Sequence, residues 1–335
     1  MSEAPLIVGL PSKGRLKEQC EGWLSDSGFR LEVEGGERGY RAEIAGLPDV
    51  VVQLLSASDI AAALDTGDIH LGVTGEDLLR ERGEHMQDRV MLLRALGFGR
   101  ADLVVAAPKS WIDVETMADV DEVCAHYAAR TGRRLRVATK YTAQTRAFFA
   151  RLGIVDYRIV ESGGATEGAP AAGAAELVVD ITTTGATLRA NGLKILADGV
   201  ILKSQAQLAA GLGAAWTEAQ IGSVRRLLGV VEARARARRL SLLAWPPEQS
   251  ARAEAATEAF LTRGASRRAN GLLAETSTLF DIAAALSAEG VGPVSVTRPE
   301  FAFEPASPAA DALQERLDHD EFGSNRSKFI KRDRF

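Results

Sequence analysis

The sequence predicts an α/β protein of more than one domain, and three observations carry that expectation. The chain has 335 residues, which at about 150 residues per domain divides into two, with room for a small third. Short apolar runs rich in Val, Ile and Leu alternate with amphipathic stretches of helical period, the pattern of a sheet covered by helices on both faces. Hydrophobic residues make up 46% and charged residues 25%, a folded globular composition rather than a disordered one.

Residues 6–10 read as a buried strand ending at Pro11, and Gly14 opens an amphipathic stretch through Cys20 and Leu24 to about Gly28. Residues 50–55 form a second strand, 57–64 a short helix and 69–73 a third strand. Residues 91–93 and 103–106 add two more before Pro108. A second unit then offers helix 120–129, strand 135–138, helix 142–152 and strands 157–160 and 177–179. Residues 195–202 read as a return strand into the first unit, followed by a long helix from 220 to about 239. The remainder reads strand 240–244, helix 248–261, strand 270–274, helix 279–287 and strand 293–297, a small α+β appendage. From Pro305 onward a Pro/Ala-rich turn and a mixed-charge end suggest a peripheral tail.

Composition narrows the function. A net charge of −5 argues against nucleic acid held by overall positive charge, while leaving room for a local anion patch. Two cysteines, Cys20 and Cys124, are too few for a disulfide scaffold or a thiolate metal site. His70, His85, His126 and His319 show no metal-ligand spacing. No apolar run reaches ~18 residues, and the first residues lack a signal-peptide pattern. The expected location is the cytoplasm, with no membrane partner.

Two segments carry the chemistry. In Asp180-Ile181-Thr182-Thr183-Thr184-Gly185-Ala186-Thr187-Leu188, hydroxyls and a glycine follow an apolar strand. Such a turn converges backbone N–H and side-chain O–H groups on one point, where a phosphate fits. Asp180 there can accept hydrogen bonds from sugar hydroxyls. An N-capped helix after a tight turn reads equally well from the same letters. In Pro11-Ser12-Lys13-Gly14-Arg15-Leu16, Lys13 and Arg15 stand at a strand end over the ligand crevice of such sheets, where they can neutralise phosphate. As solvated cations they would gain nothing from a helix start, whose dipole favours acids. Neither a Walker loop nor a G-x-G-x-x-G fingerprint is present, which disfavours a dinucleotide-dependent oxidoreductase. Gly75 and Glu76 in Gly72-Val73-Thr74-Gly75-Glu76-Asp77 offer room for a ligand, with first-turn helix acids as the alternative. Lys140 follows a strand as another phosphate contact, and Glu167 follows Gly163-Gly164 as an acid suited to a ribose hydroxyl or a metal ion.

These motifs resemble the ATP phosphoribosyltransferases of histidine biosynthesis. The segment from Glu176 through Asp180 and Thr187-Leu188 to Asn191-Gly192 is similar to the family's phosphoribosyl-pyrophosphate signature. Ordered matches at Pro11–Leu16, Asp59-Ile60, residues 67–79, Thr139-Lys140-Tyr141 and residues 164–170 extend the likeness over about residues 5–205. The resemblance implies a two-lobed, periplasmic-binding-protein-like (type II) catalytic core and, in the long form, a small ferredoxin-like regulatory domain that binds histidine. It also implies Mg²⁺-dependent joining of adenine N1 of ATP to C1 of phosphoribosyl pyrophosphate, with release of pyrophosphate. Lys13 and Arg15 would then be catalytic. Asp180, Thr182, Thr183, Thr184, Gly185, Ala186, Thr187 and Glu167 would bind phosphoribosyl pyrophosphate, and Gly75, Glu76 and Lys140 would serve ATP or pyrophosphate. Mg²⁺ would be held mainly by substrate phosphates, aided by Glu167 or Asp180. The expected domains are 1–105 with 194–225, then 106–193, 226–302 and an extended tail at 303–335, in a homodimer or homohexamer. The chain departs from the family at Ser12, an added residue, and at Ser56, Ala61 and Ala165, which replace an arginine, a proline and a serine. Losing an arginine and a hydroxyl removes donors from the anion site, which leaves a non-catalytic regulatory paralogue as an alternative; a two-lobed small-molecule binding protein of the same architecture is another.

Overall fold

The computed structural model describes residues 4–34 and 39–330, without side chains beyond residue 319. Positions 331–335 of the expected tail lie outside the described residues. The chain forms two compact units. One comprises the chain through Trp23 together with Leu31–Thr217; the other comprises Leu24–Arg30 and everything from Glu218 onward.

The first unit contains two sheets. Its elements begin with β1 (Leu6–Pro11), α1 (Gly14–Asp26, whose last turn belongs to the second unit), β2 (Leu31–Val33), β3 (Arg41–Ile44), β4 (Leu47–Leu55), α2 (Ala57–Thr66), β5 (Leu71–Gly75), α3 (Glu76–Arg80), α4 (Met86–Arg89) and β6 (Val90–Ala95). There follow β7 (Ala101–Pro108), α5 (Met117–Thr131), β8 (Leu135–Thr139), α6 (Thr142–Arg151), β9 (Tyr157–Glu161), β10 (Leu177–Thr182), α7 (Ala186–Ala190), β11 (Leu193–Ser204) and β12 (Ala206–Gly211). The first sheet runs β2-β3-β4-β1-β5-β12-β6 and the second β11-β7-β10-β8-β9. In the first, β1 is parallel to β4 and β5; in the second, β8 is parallel to β9 and β10. Parallel strands are covered on both faces, which is why β1 and β10 read as unbroken apolar runs rather than alternations.

Sheet membership corrects the expected lobe boundaries at 105/106 and 193/194. The first cuts through β7, and the second assigns β11 to the first lobe, whereas both strands belong to the second sheet. Residues 195–202 are therefore not the return strand. That role falls to β12, which pairs with β5 and β6. A β-strand carries no mark of the sheet it will join, because ladder bonds use backbone groups common to every residue.

The lobes are joined at residues 96–100 and at Gln205, between β6 and β7 and between β11 and β12. These crossovers run side by side: the Leu96 N–H donates to the Ala206 carbonyl at 3.0 Å, and the Ala206 N–H to that of Phe98 at 2.9 Å. Strand directions then dictate the site. β6 leaves the first sheet at the edge where β1 and β5 end, and antiparallel β7 enters the second where β10 ends. The carboxyl ends of both sets of parallel strands meet at the crossovers, where ligands of open α/β sheets bind.

The second unit holds α8 (Glu218–Ala237), β13 (Leu240–Ala244), α9 (Ser250–Leu261), β14 (Ser266–Arg268), β15 (Gly271–Glu275), α10 (Leu279–Ala288), β16 (Ser295–Thr297) and α11 (Pro308–Ile330). Sheet order β14-β15-β13-β16, all neighbours antiparallel, with helices after the first and third strands, is the ferredoxin-like βαββαβ arrangement. Leu243, Ala253, Phe260, Leu272, Ile282 and Leu286 form its core. The expected extended tail at 303–335 is replaced by helix α11 over residues 308–330. Pro308 suits a first helical turn, the Ala310 N–H reaches the Ser307 hydroxyl at 3.4 Å, and Ala310 and Leu313 are buried.

Buried His70 ties the first unit's terminal strand into place. Its Nδ1 accepts the Ile7 N–H at 3.1 Å, its Nε2 faces the Ala215 carbonyl at 3.3 Å, and its ring packs edge-on against Trp216. Acceptance at Nδ1 requires the neutral ring. Burial lowers its pKa, opposed by the Ala215 carbonyl. The unfolded chain therefore takes up the proton first as pH falls, so this contribution to stability is complete above an ordinary histidine pKa of about 6.5 and is lost progressively below it. Urea midpoints at pH 7.5 and 5.0 are expected to differ less for His70→Gln than for the parent chain.

Candidate active site

The motif-bearing turns all lie at the carboxyl edges of the two sheets. In the first lobe, Lys13 and Arg15 follow β1 and are exposed, on a turn pinned by the Ser12 N–H to the Leu55 carbonyl at 2.8 Å. Ser56, after β4, caps α2: its hydroxyl accepts the Asp59 N–H at 3.2 Å and donates to the Asp59 carboxylate at 2.6 Å.

In the second lobe the threonine loop follows β10. The Thr182 hydroxyl accepts the Gly185 N–H at 2.8 Å, and that of Thr184 accepts the Ala186 N–H at 3.3 Å. Thr183 donates to the Arg100 carbonyl at 3.2 Å. The two readings of this loop thus coexist, because the threonines organise the turn while keeping its donors together. Gly185 sits at φ 70°, a left-handed conformation that favours glycine. The hydroxyl of exposed Thr187 has no hydrogen-bond partner among the described residues.

Asp180 receives the Ile181 N–H at 2.8 Å. Burial raises its pKa and Glu167 adds to that, while the Ile181 N–H and Lys140 pull it down. These contributions bring Lys140, Asp180 and Glu167 into one electrostatic neighbourhood. Lys140 lies 5.1 Å above the Tyr141 ring. Glu167 stands in a 3₁₀ turn entered through Ala165 at φ 49°, the one non-glycine residue with positive φ among those described. That left-handed alanine costs about 1 kcal/mol. It is held by hydrogen bonds of the Ser162 and Thr166 side chains. Glu176, which opens the signature, lies at the other end of the strand and fastens β10 to β8. It accepts from the Arg136 N–H at 2.7 Å and from its guanidinium at 2.5 Å.

Gly75 and Glu76, expected to serve ATP or pyrophosphate, have close neighbours within the protein. A Cβ on Gly75 would lie 2.3 Å from Asp77 Oδ1, so this glycine makes room for a neighbouring carboxylate. Glu76 is occupied by Arg80 at 2.6 Å and by the Gln207 amide at 2.9 Å. Asp77 is the first-turn helix acid that the sequence offered, and its partners are distant in the chain. It is buried, and it accepts from the Tyr141 hydroxyl at 2.8 Å and the Ser204 hydroxyl at 2.7 Å. Its own N–H donates to Ser204 Oγ at 3.0 Å, and its carbonyl accepts from Gln144 at 2.8 Å. Glu81 adds a second bridge, accepting from the Ala143 and Gln144 N–H groups at the start of α6. Two first-lobe acids thereby hold the second lobe.

A sequence model describing ATP phosphoribosyltransferase matches residues 56–229. The ATP phosphoribosyltransferase of Caulobacter vibrioides is 69% identical over 313 residues, covering 93% of this chain and 98% of the relative. The chain belongs to the ATP phosphoribosyltransferase family. The namesake from Bradyrhizobium sp. (strain ORS 278) is 58% identical over 233 residues, 70% of this chain and 72% of the relative. Among solved structures, one titled as the ATP phosphoribosyl transferase (HisG:HisZ) complex from Thermotoga maritima superposes with a TM-score of 0.51 at 26% identity, covering 68% of this chain and 98% of that one. The activity is that of a pentosyltransferase of histidine biosynthesis on a two-lobed core with a ferredoxin-like appendage. The non-catalytic readings are not favoured.

As an ATP phosphoribosyltransferase, this chain should depend on the space Gly75 leaves. Gly75→Ala is expected to lower unfolding free energy by about 1–3 kcal/mol through overpacking against Asp77 and to reduce pyrophosphate release. Gly22→Ala, in open space on α1, should do neither. Urea denaturation and a pyrophosphate assay on both variants check this.

Proposed function

We propose that the two facing edges divide the reaction between them. The second lobe grips phosphoribosyl pyrophosphate, and the first receives the charge of the leaving group. The N1 lone pair of adenine forms the new bond to C1, while the C1–O bond to pyrophosphate breaks and its electrons leave with the pyrophosphate oxygen. C1 becomes cation-like as negative charge grows on pyrophosphate, so positioning and electrostatics carry the catalysis. Neutral N1 is already nucleophilic, and no general base is assigned.

The Thr182–Thr187 turn anchors the 5-phosphate, a remote grip that aligns C1. Thr182, Thr183, Thr184, Gly185, Ala186 and Thr187 contribute hydroxyls or backbone N–H groups, some now engaged within the turn. Asp180 and Glu167 face the ribose hydroxyls, and Lys140 faces phosphate. Lys13 and Arg15 stabilise the departing pyrophosphate. The observation that carries this reading is the meeting of both carboxyl edges at the paired crossovers.

Mg²⁺ fits as a substrate-borne ion. Among the described residues no three His, Cys, Asp or Glu side chains gather as a metal group, and Asp180 and Glu167 offer only supplementary hard oxygen ligands. When bound, Mg²⁺ would offset phosphate charge. The ferredoxin-like domain supports histidine feedback and assembly into a homodimer or homohexamer. No helix among the described residues is long and apolar enough to cross a membrane. Relatives that act in histidine biosynthesis support a cytoplasmic location.

The test is turnover of ATP, phosphoribosyl pyrophosphate and Mg²⁺ with simultaneous detection of pyrophosphate and N1-ribosylated nucleotide, with and without histidine. Lys13→Met and Arg15→Met should each lower kcat about 100-fold at unchanged thermal midpoint. Gly185→Val should raise the KM for phosphoribosyl pyrophosphate about tenfold, the scale of a lost charge-assisted grip. Unchanged kinetics in these folded variants would remove the roles assigned, and inhibition by histidine would support feedback.

A further inference from the structure

A cavity of about 490 Å³ opens beside the crossovers, lined by Arg100, Asp102, Thr182, Thr183, Lys203 and their neighbours. Its volume lies within the range of small-molecule sites. Strand register sets the lining. Thr182 on β10 stands opposite Asp102 on β7, which stands opposite Lys203 on β11. Directly opposed residues share a sheet face, so a lysine, an acid and a loop threonine form one row across three strands. Asp180, two residues before Thr182, lies on that same face.

Both cations have backbones fixed by neighbouring contacts. The Arg100 carbonyl accepts the Thr183 hydroxyl at 3.2 Å. Ser204, next to Lys203, is buried and bonded to Asp77, and the following Gln205 carbonyl accepts the Glu76 N–H at 3.0 Å. Neither side chain forms an ion pair among the described residues, although Asp102 stands beside Lys203 in the sheet. Two uncommitted cations therefore face loop hydroxyls in a protein of net charge −5.

We propose that Arg100 and Lys203, one beside each crossover, form the cationic wall of a polyphosphate subsite continuous with the threonine loop. The proposal rests on the reading of that loop as the phosphoribosyl grip. Arg100 offers a planar fork of donors and Lys203 a compact point charge, a pairing suited to adjacent phosphate groups. Because Arg100 ends one crossover and Lys203 lies two residues before the other, one anion between them ties both connections together. The chemistry is a di- or triphosphate, supplied either by ATP or by the pyrophosphoryl end of the second substrate.

Calorimetric titration of pyrophosphate, ATP and phosphoribosyl pyrophosphate, each in Mg²⁺ buffer, tests this on Arg100→Met, Lys203→Met, Asp102→Asn and Gly185→Val. Each cation loss should weaken pyrophosphate binding about tenfold, the scale of one charge-assisted hydrogen bond, at unchanged thermal midpoint. Asp102→Asn should tighten it about threefold by removing like-charge repulsion. A parallel loss confined to ATP identifies its triphosphate as the occupant; one confined to phosphoribosyl pyrophosphate identifies the leaving group. Unchanged binding of all three anions overturns the subsite, as does weaker binding in Asp102→Asn. Loss of phosphoribosyl pyrophosphate binding in Gly185→Val alone would sink the subsite and keep the loop's role. Retention there, with losses in Arg100→Met and Lys203→Met, would keep the anion site and sink the loop's role.

Discussion

The active arrangement depends on a buried carboxylate. Asp77 issues from the first lobe and is met by Tyr141 of the second lobe and Ser204 of the returning strand. A buried carboxylate is costly unless its oxygens are hydrogen-bonded, and here each oxygen has a hydroxyl donor. Leaving one unsatisfied costs about 1–3 kcal/mol. Burial, and then Asp77 itself, drive the Tyr141 phenol far above its ordinary pKa, so the hydroxyl keeps its proton and remains a donor. The bridge therefore does not titrate away through the tyrosine.

That interaction gives the two half-sites a common frame. Tyr141 is followed by α6, whose first N–H groups rest on Glu81, and is preceded by Lys140, whose charge acts on Asp180. Ser204 ends the strand that leads into the crossover. A displacement at Asp77 would thus reach both Asp180 and the connection between lobes. Coupling of this kind travels through packed, hydrogen-bonded groups, and substrate alignment in transfer reactions is sensitive to small shifts.

Local chemistry was legible in the sequence, and long-range pairing was not. The threonine loop could be read because hydroxyls, glycine and strand end stand within nine consecutive letters. The turn that carries Lys13 and Arg15 could be placed because the first apolar run stops at Pro11, where β1 ends. At Gly75 nothing in the nearby letters reveals that Asp77 folds back beside it. Ser204 is 127 residues away from Asp77, beyond any periodicity. β11 went to the wrong lobe for the same reason. The short edge strand β14, Ser266–Arg268, is polar and largely exposed, so it gave no alternation, and its absence hid the βαββαβ order. The tail helix was obscured by proline and alanine, although Ser307 and Pro308 are also what a helix start requires.

The most direct measurement is the distance between lobes when the bridge is cut. Buried Cys20 and Cys124, their thiols pushed up to about 12 mainly by burial, should resist labelling. Spin labels at Glu43→Cys and Arg134→Cys, exposed on the first and second lobes, then report interlobe distance by pulsed electron resonance. With Tyr141→Phe, the distance distribution is expected to broaden or shift and the KM for phosphoribosyl pyrophosphate to rise, with the melting curve remaining cooperative. An unchanged distribution and unchanged kinetics in that folded variant would rule out the Asp77 bridge as the frame of the site.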